Sequence, residues 1–124
     1  MTKEINSLVL AYLGDTIYED YIREYLIKKG IASIKELQEA SMDYVSAKSQ
    51  ARILEELINK NIFNEEELEI IKRARNNSSK KHPKSCDVIT YRKATGLEAL
   101  IGYLKLEGNI DRIEEIMRVV LYEI

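Results

Sequence analysis

Two carboxylates stand among neighbours that make a carboxylate costly. On a helical wheel Asp15 has Ala11 and Leu8 on the turns before it and Tyr18 and Ile22 on the turns after it, with Glu19 the one acid on that side. This puts Asp15 on or beside an apolar stripe. Glu98 sits among Ala94, Thr95, Ile101 and Gly102, with Lys105 a turn further on. A carboxylate in such surroundings must be paired, hydrogen-bonded or bound to a metal. Each also has a glycine close by, Gly14 or Gly102, although glycine weakens a helix interior by about 1 kcal/mol relative to alanine. Two helices without side chains at their crossing can approach closely, and such an approach can bring two carboxylates to one metal ion. Simpler roles stay open. Asp15 can pair with a buried cation or a tyrosine hydroxyl, and Thr95-x-x-Glu98 has the pattern of a capping box.

Other chemistry is less well supplied. His82 and Cys86 lie four residues apart in a polar stretch with no orienting group. These two alone are too few for a zinc site. No phosphate-cradling glycine pattern occurs.

The elements that must position the two acids are helical. Apolar residues at 5, 8, 9, 12, 13, 17, 18, 21, 22, 25 and 26 predict an amphipathic helix over about Ile5 to Leu26, ended by Gly30. Ser33 with Glu36 predicts a short second helix over Ile34 to Glu39. Asp43 is the expected cap of a third, Tyr44 to Asn59, and Asn64 with Glu67 opens a fourth that runs to Ala74 or Arg75. "RNNSSKKHPKSCD", Arg75 to Asp87, reads as a loop. Two more helices are expected, about Val88 to Leu106 and Ile110 to Tyr122, broken apart at Gly108-Asn109. No period-two strand is found. The expected fold class is all-α, a helical bundle in a single domain over residues 1–124.

Composition excludes more than it assigns. Apolar residues make up 45% of the chain and charged residues 32%, ordinary for a soluble globular protein. A single cysteine rules out an internal disulfide and fits a reducing compartment. No membrane-spanning run or signal-peptide pattern is present, so the expectation is a cytoplasmic protein. The charge distribution is more informative. From Lys72 to Lys93 there are eight basic residues and one acid, a net +7. The rest of this chain of net charge −2 therefore carries −9. Interleaved with Asn76, Asn77, Ser78 and Ser79, the basic run suits phosphate and sugar contacts. Upstream, "VSAKSQAR" offers Ser46, Lys48, Ser49, Gln50 and Arg52 among small residues. It reads either as a helix that approaches a nucleic-acid backbone or as an ordinary solvated face.

"LAYLGDTIYE", Leu10 to Glu19, resembles the signature helix of ribonuclease III, and "ATGLEALIGYLKLEG", Ala94 to Gly108, resembles that family's second acidic motif. "VSAKSQA", "KRARN" and "DVITYRKATGLEALIGYL" resemble the short bacterial branch of the family. The resemblance runs from Leu8 to about Tyr122. It implies the all-α ribonuclease III endonuclease fold, a homodimer with the signature helices near the twofold axis, and Mg2+-dependent cleavage of double-stranded RNA. Products would carry 5′-phosphate and 3′-hydroxyl ends. The implied substrate is the precursor of large-subunit (23S) ribosomal RNA, with a ribosomal protein as an optional further partner. By position, Asp15 and Glu98 match the metal-holding acids, whereas Leu8, Ala11 and Thr95 stand where longer family members carry further acids. The short branch lacks a separate double-stranded-RNA-binding domain, so the expected substrate contacts are Lys48, Gln50, Arg73, Arg75, Asn76, Lys80, Lys81, Lys84 and Arg92. A non-catalytic RNA- or ribosome-binding module on the same fold is the alternative.

Overall fold

The structure is a computed structural model that describes residues 1–77 and 86–124. A short 3-10 helix, Thr2–Glu4, precedes six α-helices: α1 (Ser7–Lys28), α2 (Ile34–Val45), α3 (Ala47–Asn59), α4 (Glu65–Asn76), α5 (Val88–Leu106) and α6 (Ile110–Tyr122). No strand occurs among the described residues. The expected loop residues Lys80, Lys81, His82 and Lys84 lie outside them.

Polar caps set most helix starts. Asn6 accepts from the Leu8 amide at 2.8 Å, and Asp87 accepts from the Thr90 amide at 2.7 Å. Asn64 and Glu67 form a reciprocal capping box. At the end of α5, Gly108 takes a left-handed φ of 74°, which lets the Asn109 amide reach back to the Leu104 carbonyl. Two expected boundaries are corrected. The second helix runs on to Val45, and the third starts at Ala47 rather than at Tyr44. Its cap is Ser46, extended at ψ 152°, which accepts from the Ser49 amide, so Asp43 does not cap it. The first part of the expected loop, Arg75 and Asn76, is the last turn of α4.

The long helix α5 is the centre of the bundle, covered by α1, α3 and α4. From Ala94 to Leu104 every residue except Glu98 is buried, as expected for a helix enclosed on all sides. Leu10, Tyr18 and Ile22 of α1 meet it with Ile53, Leu54 and Leu57 of α3 and Ile70 and Ile71 of α4 in one apolar cluster, closed below by Ile113, Ile116 and Met117 of α6. Two of the polar side chains inside are matched by partners. The Tyr18 hydroxyl donates to the Tyr44 carbonyl at 2.8 Å. Glu67, 3% exposed, accepts two hydrogen bonds from the Arg112 guanidinium, at 2.7 and 2.8 Å.

The crossing of α1 over α5 is unusually close. A methyl group on Gly14 would stand 1.7 Å from the Glu98 carbonyl oxygen, and one on Gly102 would stand 1.9 Å from the Leu10 carbonyl oxygen. The two glycines thus face each other's helices in reciprocal fashion. Neither position admits a side chain without separating the helices.

Candidate active site

Close approach at Gly14 and Gly102 puts the two acids of the sequence analysis side by side. The Asp15 and Glu98 side chains are hydrogen-bonded to each other. They open into a pocket of about 260 Å³, whose other walls are Leu8, Ala11, Tyr12, Tyr91 and Thr95. Asp15 is exposed at its mouth, which differs from the buried-stripe expectation, and Glu98 is recessed. Burial pushes the Glu98 carboxyl up to about 9, and the hydrogen bond and negative charge of Asp15 add to the shift, with a smaller rise from Glu19. The Gln50 amide acts the other way and favours the ionised form. At neutral pH Glu98 therefore keeps its proton when no cation lies beside it.

The capping alternative for Glu98 is excluded by the helix itself. Asp87 caps α5, and Thr95 is a mid-helix residue whose hydroxyl donates to the Tyr91 carbonyl at 2.9 Å. Leu8, Ala11 and Thr95, the positions where further acids were expected from longer family members, all line the pocket. Its lining is accordingly two carboxylates, the hydroxyl-bearing side chains of Tyr12, Tyr91 and Thr95, and the apolar Leu8 and Ala11. Among the described residues no third His, Cys, Asp or Glu joins them. Two carboxylates with open solvent beside them are a hard oxygen donor set, and they fit a divalent cation such as Mg2+, which takes one or two protein carboxylates and fills its remaining positions with water or phosphate.

The expected substrate contacts fall into three groups. Lys48, Asn76 and Arg92 are exposed. Arg75 and Asn76 at the end of α4, with Lys72 and Arg92, rim a groove of about 500 Å³ floored by Ile58, Leu68, Ile71 and Ile89. The groove and the carboxylate pocket flank the first turns of α5, since Tyr91 lines one and Arg92 the other. Arg73 is turned inward: its guanidinium donates to the Lys3 carbonyl, and Nη2 is buried without a partner. Gln50 is 2% exposed, so it does not lie on an open substrate-facing surface. Its burial had a signal in the sequence, because it precedes Ile53, Leu54 and Leu57 by three, four and seven places and so shares their face. Tyr12 and Tyr91 were not picked out beforehand, yet each stands at helical spacing from a carboxylate: Tyr12 three before Asp15, and Tyr91 seven before Glu98.

Comparison with known proteins shows the family. The ribonuclease III domain model matches residues 8–109, which include both acids and both crossing glycines. The chain belongs to the ribonuclease III family and is an endoribonuclease. Its similarity is to the short members. It is 42% identical to Mini-ribonuclease 3 of Streptococcus pneumoniae, over 91% of this chain and 88% of that one. It is 48% identical to Mini-ribonuclease 3 of Brevibacillus brevis, over 91% and 83%. A crystal structure of a Fusobacterium nucleatum protein superposes with a TM-score of 0.85 at 38% identity, covering 96% of this chain and 94% of that one. Among the described residues no helix is long and apolar enough to cross a membrane.

Proposed function

We propose that the protein is a Mg2+-dependent endoribonuclease that cuts double-stranded RNA to 5′-phosphate and 3′-hydroxyl ends, and that it acts on the precursor of large-subunit ribosomal RNA in the cytoplasm. One observation carries the proposal: Asp15 and Glu98, on two helices held together at glycines, are hydrogen-bonded side by side at the edge of an open pocket. Membership of a ribonuclease family favours an enzyme over a non-catalytic RNA- or ribosome-binding module.

Asp15 and Glu98 would hold the ion. When bound, a divalent cation supplies polarisation of the scissile phosphate and a more acidic water for attack on phosphorus. The chain supplies the rest. Asp15 presents its oxygens at the mouth, where a duplex backbone can reach them, and Glu98 anchors the site from below. Leu8 and Ala11 line the wall without competing charge. Lys72, Arg75 and Arg92 at the neighbouring groove draw the polyanion and hold it by phosphate contacts. A-form RNA is recognised mainly through its shape and its 2′-hydroxyl and phosphate groups, which suits such a patch. A second copy of the chain completes the enzyme in this reading. Tyr12, 83% exposed, and Val9, 56% exposed, lie on the helix that carries Asp15 and offer an apolar face for the twofold contact.

The test is incubation with a long RNA duplex, with and without Mg2+, followed by end-group analysis. The expected products appear only with the ion and carry 5′-phosphates. Cleavage that persists in a chelator, or products ending in cyclic 2′,3′-phosphates, would contradict the proposal.

A further inference from the structure

Gln50 is the one buried side-chain amide whose nitrogen is left without a hydrogen-bond partner among the described residues. It is 2% exposed, so water does not compensate it. An unsatisfied buried donor costs about 1–3 kcal/mol, and a leucine on the same face as Ile53, Leu54 and Leu57 would avoid that cost. Helix α3 packs against α5, and the Gln50 amide lies near enough to the Glu98 carboxyl to favour its ionised form, while its nitrogen has no hydrogen bond of good geometry in the metal-free protein. Glu98 thus has Asp15 as one neighbour and an unused amide donor as another.

We infer that Gln50 is a positioning residue, whose amide orients the Glu98 carboxylate toward the pocket that it shares with Asp15 and so sets how tightly that pair holds a divalent cation. The inference rests on the metal-site reading above. Were a cation held by the two acids, one Glu98 oxygen would face it and the other would need a donor, which the buried and unpartnered Nε2 of Gln50 could supply. Partners of this kind behind a metal ligand typically govern affinity by 10–100-fold.

Q50M removes both donors while keeping an unbranched side chain of similar length, and Q50L is a second apolar replacement. Two quantities are read for each: the melting temperature of the metal-free protein, and the Mn2+ dissociation constant by calorimetry. Duplex cleavage is also followed as a function of Mg2+. The expected result is a variant that melts within a few degrees of the parent, binds Mn2+ about 10-fold or more weakly, and needs correspondingly more Mg2+ for half-maximal cleavage. Its maximal rate at saturating Mg2+ should fall much less. Mn2+ affinity within twofold of the parent in a variant that folds overturns the inference and leaves the metal-site reading intact. Loss of the fold in both variants also overturns it, because Gln50 would then be a structural residue. Failure of the parent itself to bind Mn2+, or unchanged binding in D15N, overturns the metal-site reading as a whole.

Discussion

Burial and the neighbouring Asp15 side chain hold a proton on Glu98 in the metal-free protein that the unfolded chain would release at neutral pH. The sign of the linkage follows. The Glu98 carboxyl titrates near 4.5 when unfolded and is raised to about 9 when folded. Its contribution to stability is therefore fully present below about pH 4.5 and is lost as pH rises toward 9. Glu98→Gln removes the titration. In the absence of divalent ions the melting temperature of E98Q relative to the parent should rise steadily from pH 5 to pH 9. A pH-independent gap would count against the proton held on Glu98. Added Mn2+ should raise the melting temperature of the parent and not of E98Q, since only a chain with the site gains by mass action. For Asp15→Asn the expected outcome is a loss of cleavage of roughly 100-fold or more, beyond what residues that only support a metal ligand control. Duplex affinity, measured by filter binding, should be retained.

The element that makes this pairing possible is the α1–α5 crossing. The two acids and two glycines were legible in the sequence, because carboxylates at apolar helical positions beside glycines have few physical explanations. Residue types alone misled about which face of α3 is wet, although the apolar spacing carried the answer. Ser46, Lys48, Ser49, Gln50 and Arg52 look like a solvated helix edge, yet the phase set by Ile53, Leu54 and Leu57 turns Gln50 inward and leaves Lys48 out. The break between α2 and α3 was also hidden, because Asp43 and Ser46 are both good caps and only the extended backbone at Ser46 decides between them. Gly14→Ala and Gly102→Ala should each destabilise the fold by about 3 kcal/mol, the upper part of the range for overpacked cores. The added methyl meets helix backbone, which cannot rotate away. Urea midpoints would read this, and a shift under 1 kcal/mol would refute the tightness of the crossing. Away from the site, Arg112→Met should cost about 3–5 kcal/mol because it leaves the buried Glu67 unpaired.

Across the whole molecule, basic charge is concentrated around the first turns of α5. Basic residues from the end of α4 and the start of α5 gather at the groove beside the carboxylates, while the rest of the chain is acidic. Duplex binding should weaken steeply as salt rises, because each neutralised phosphate releases counterions. Arg92→Ala should lower the slope of log affinity against log salt by about one. An unchanged slope would remove Arg92 from the interface. Tyr12→Asp puts a charge on the exposed apolar face of α1 and tests the proposed twofold contact: a dimer held there should sediment as a monomer in the variant, and an unchanged sedimentation coefficient would remove Tyr12 from such a contact. The breadth of the sequence signal differs at this scale. Charge asymmetry marks a polyanion surface from composition alone, whereas the groove that organises it depends on how α4 and α5 pack, with Arg75 and Ile71 lying over Gly96.

The central claim is that two acids from distant parts of the chain form one cation site. Calorimetric titration of the metal-free protein with Mn2+ at pH 7, run in two buffers of different ionisation enthalpy, tests it most directly. The predicted result is one saturable site per chain, with release of about one proton per ion, and no such site in D15N or E98Q. Saturable binding that survives in either variant, or that releases no proton in the parent, would contradict it.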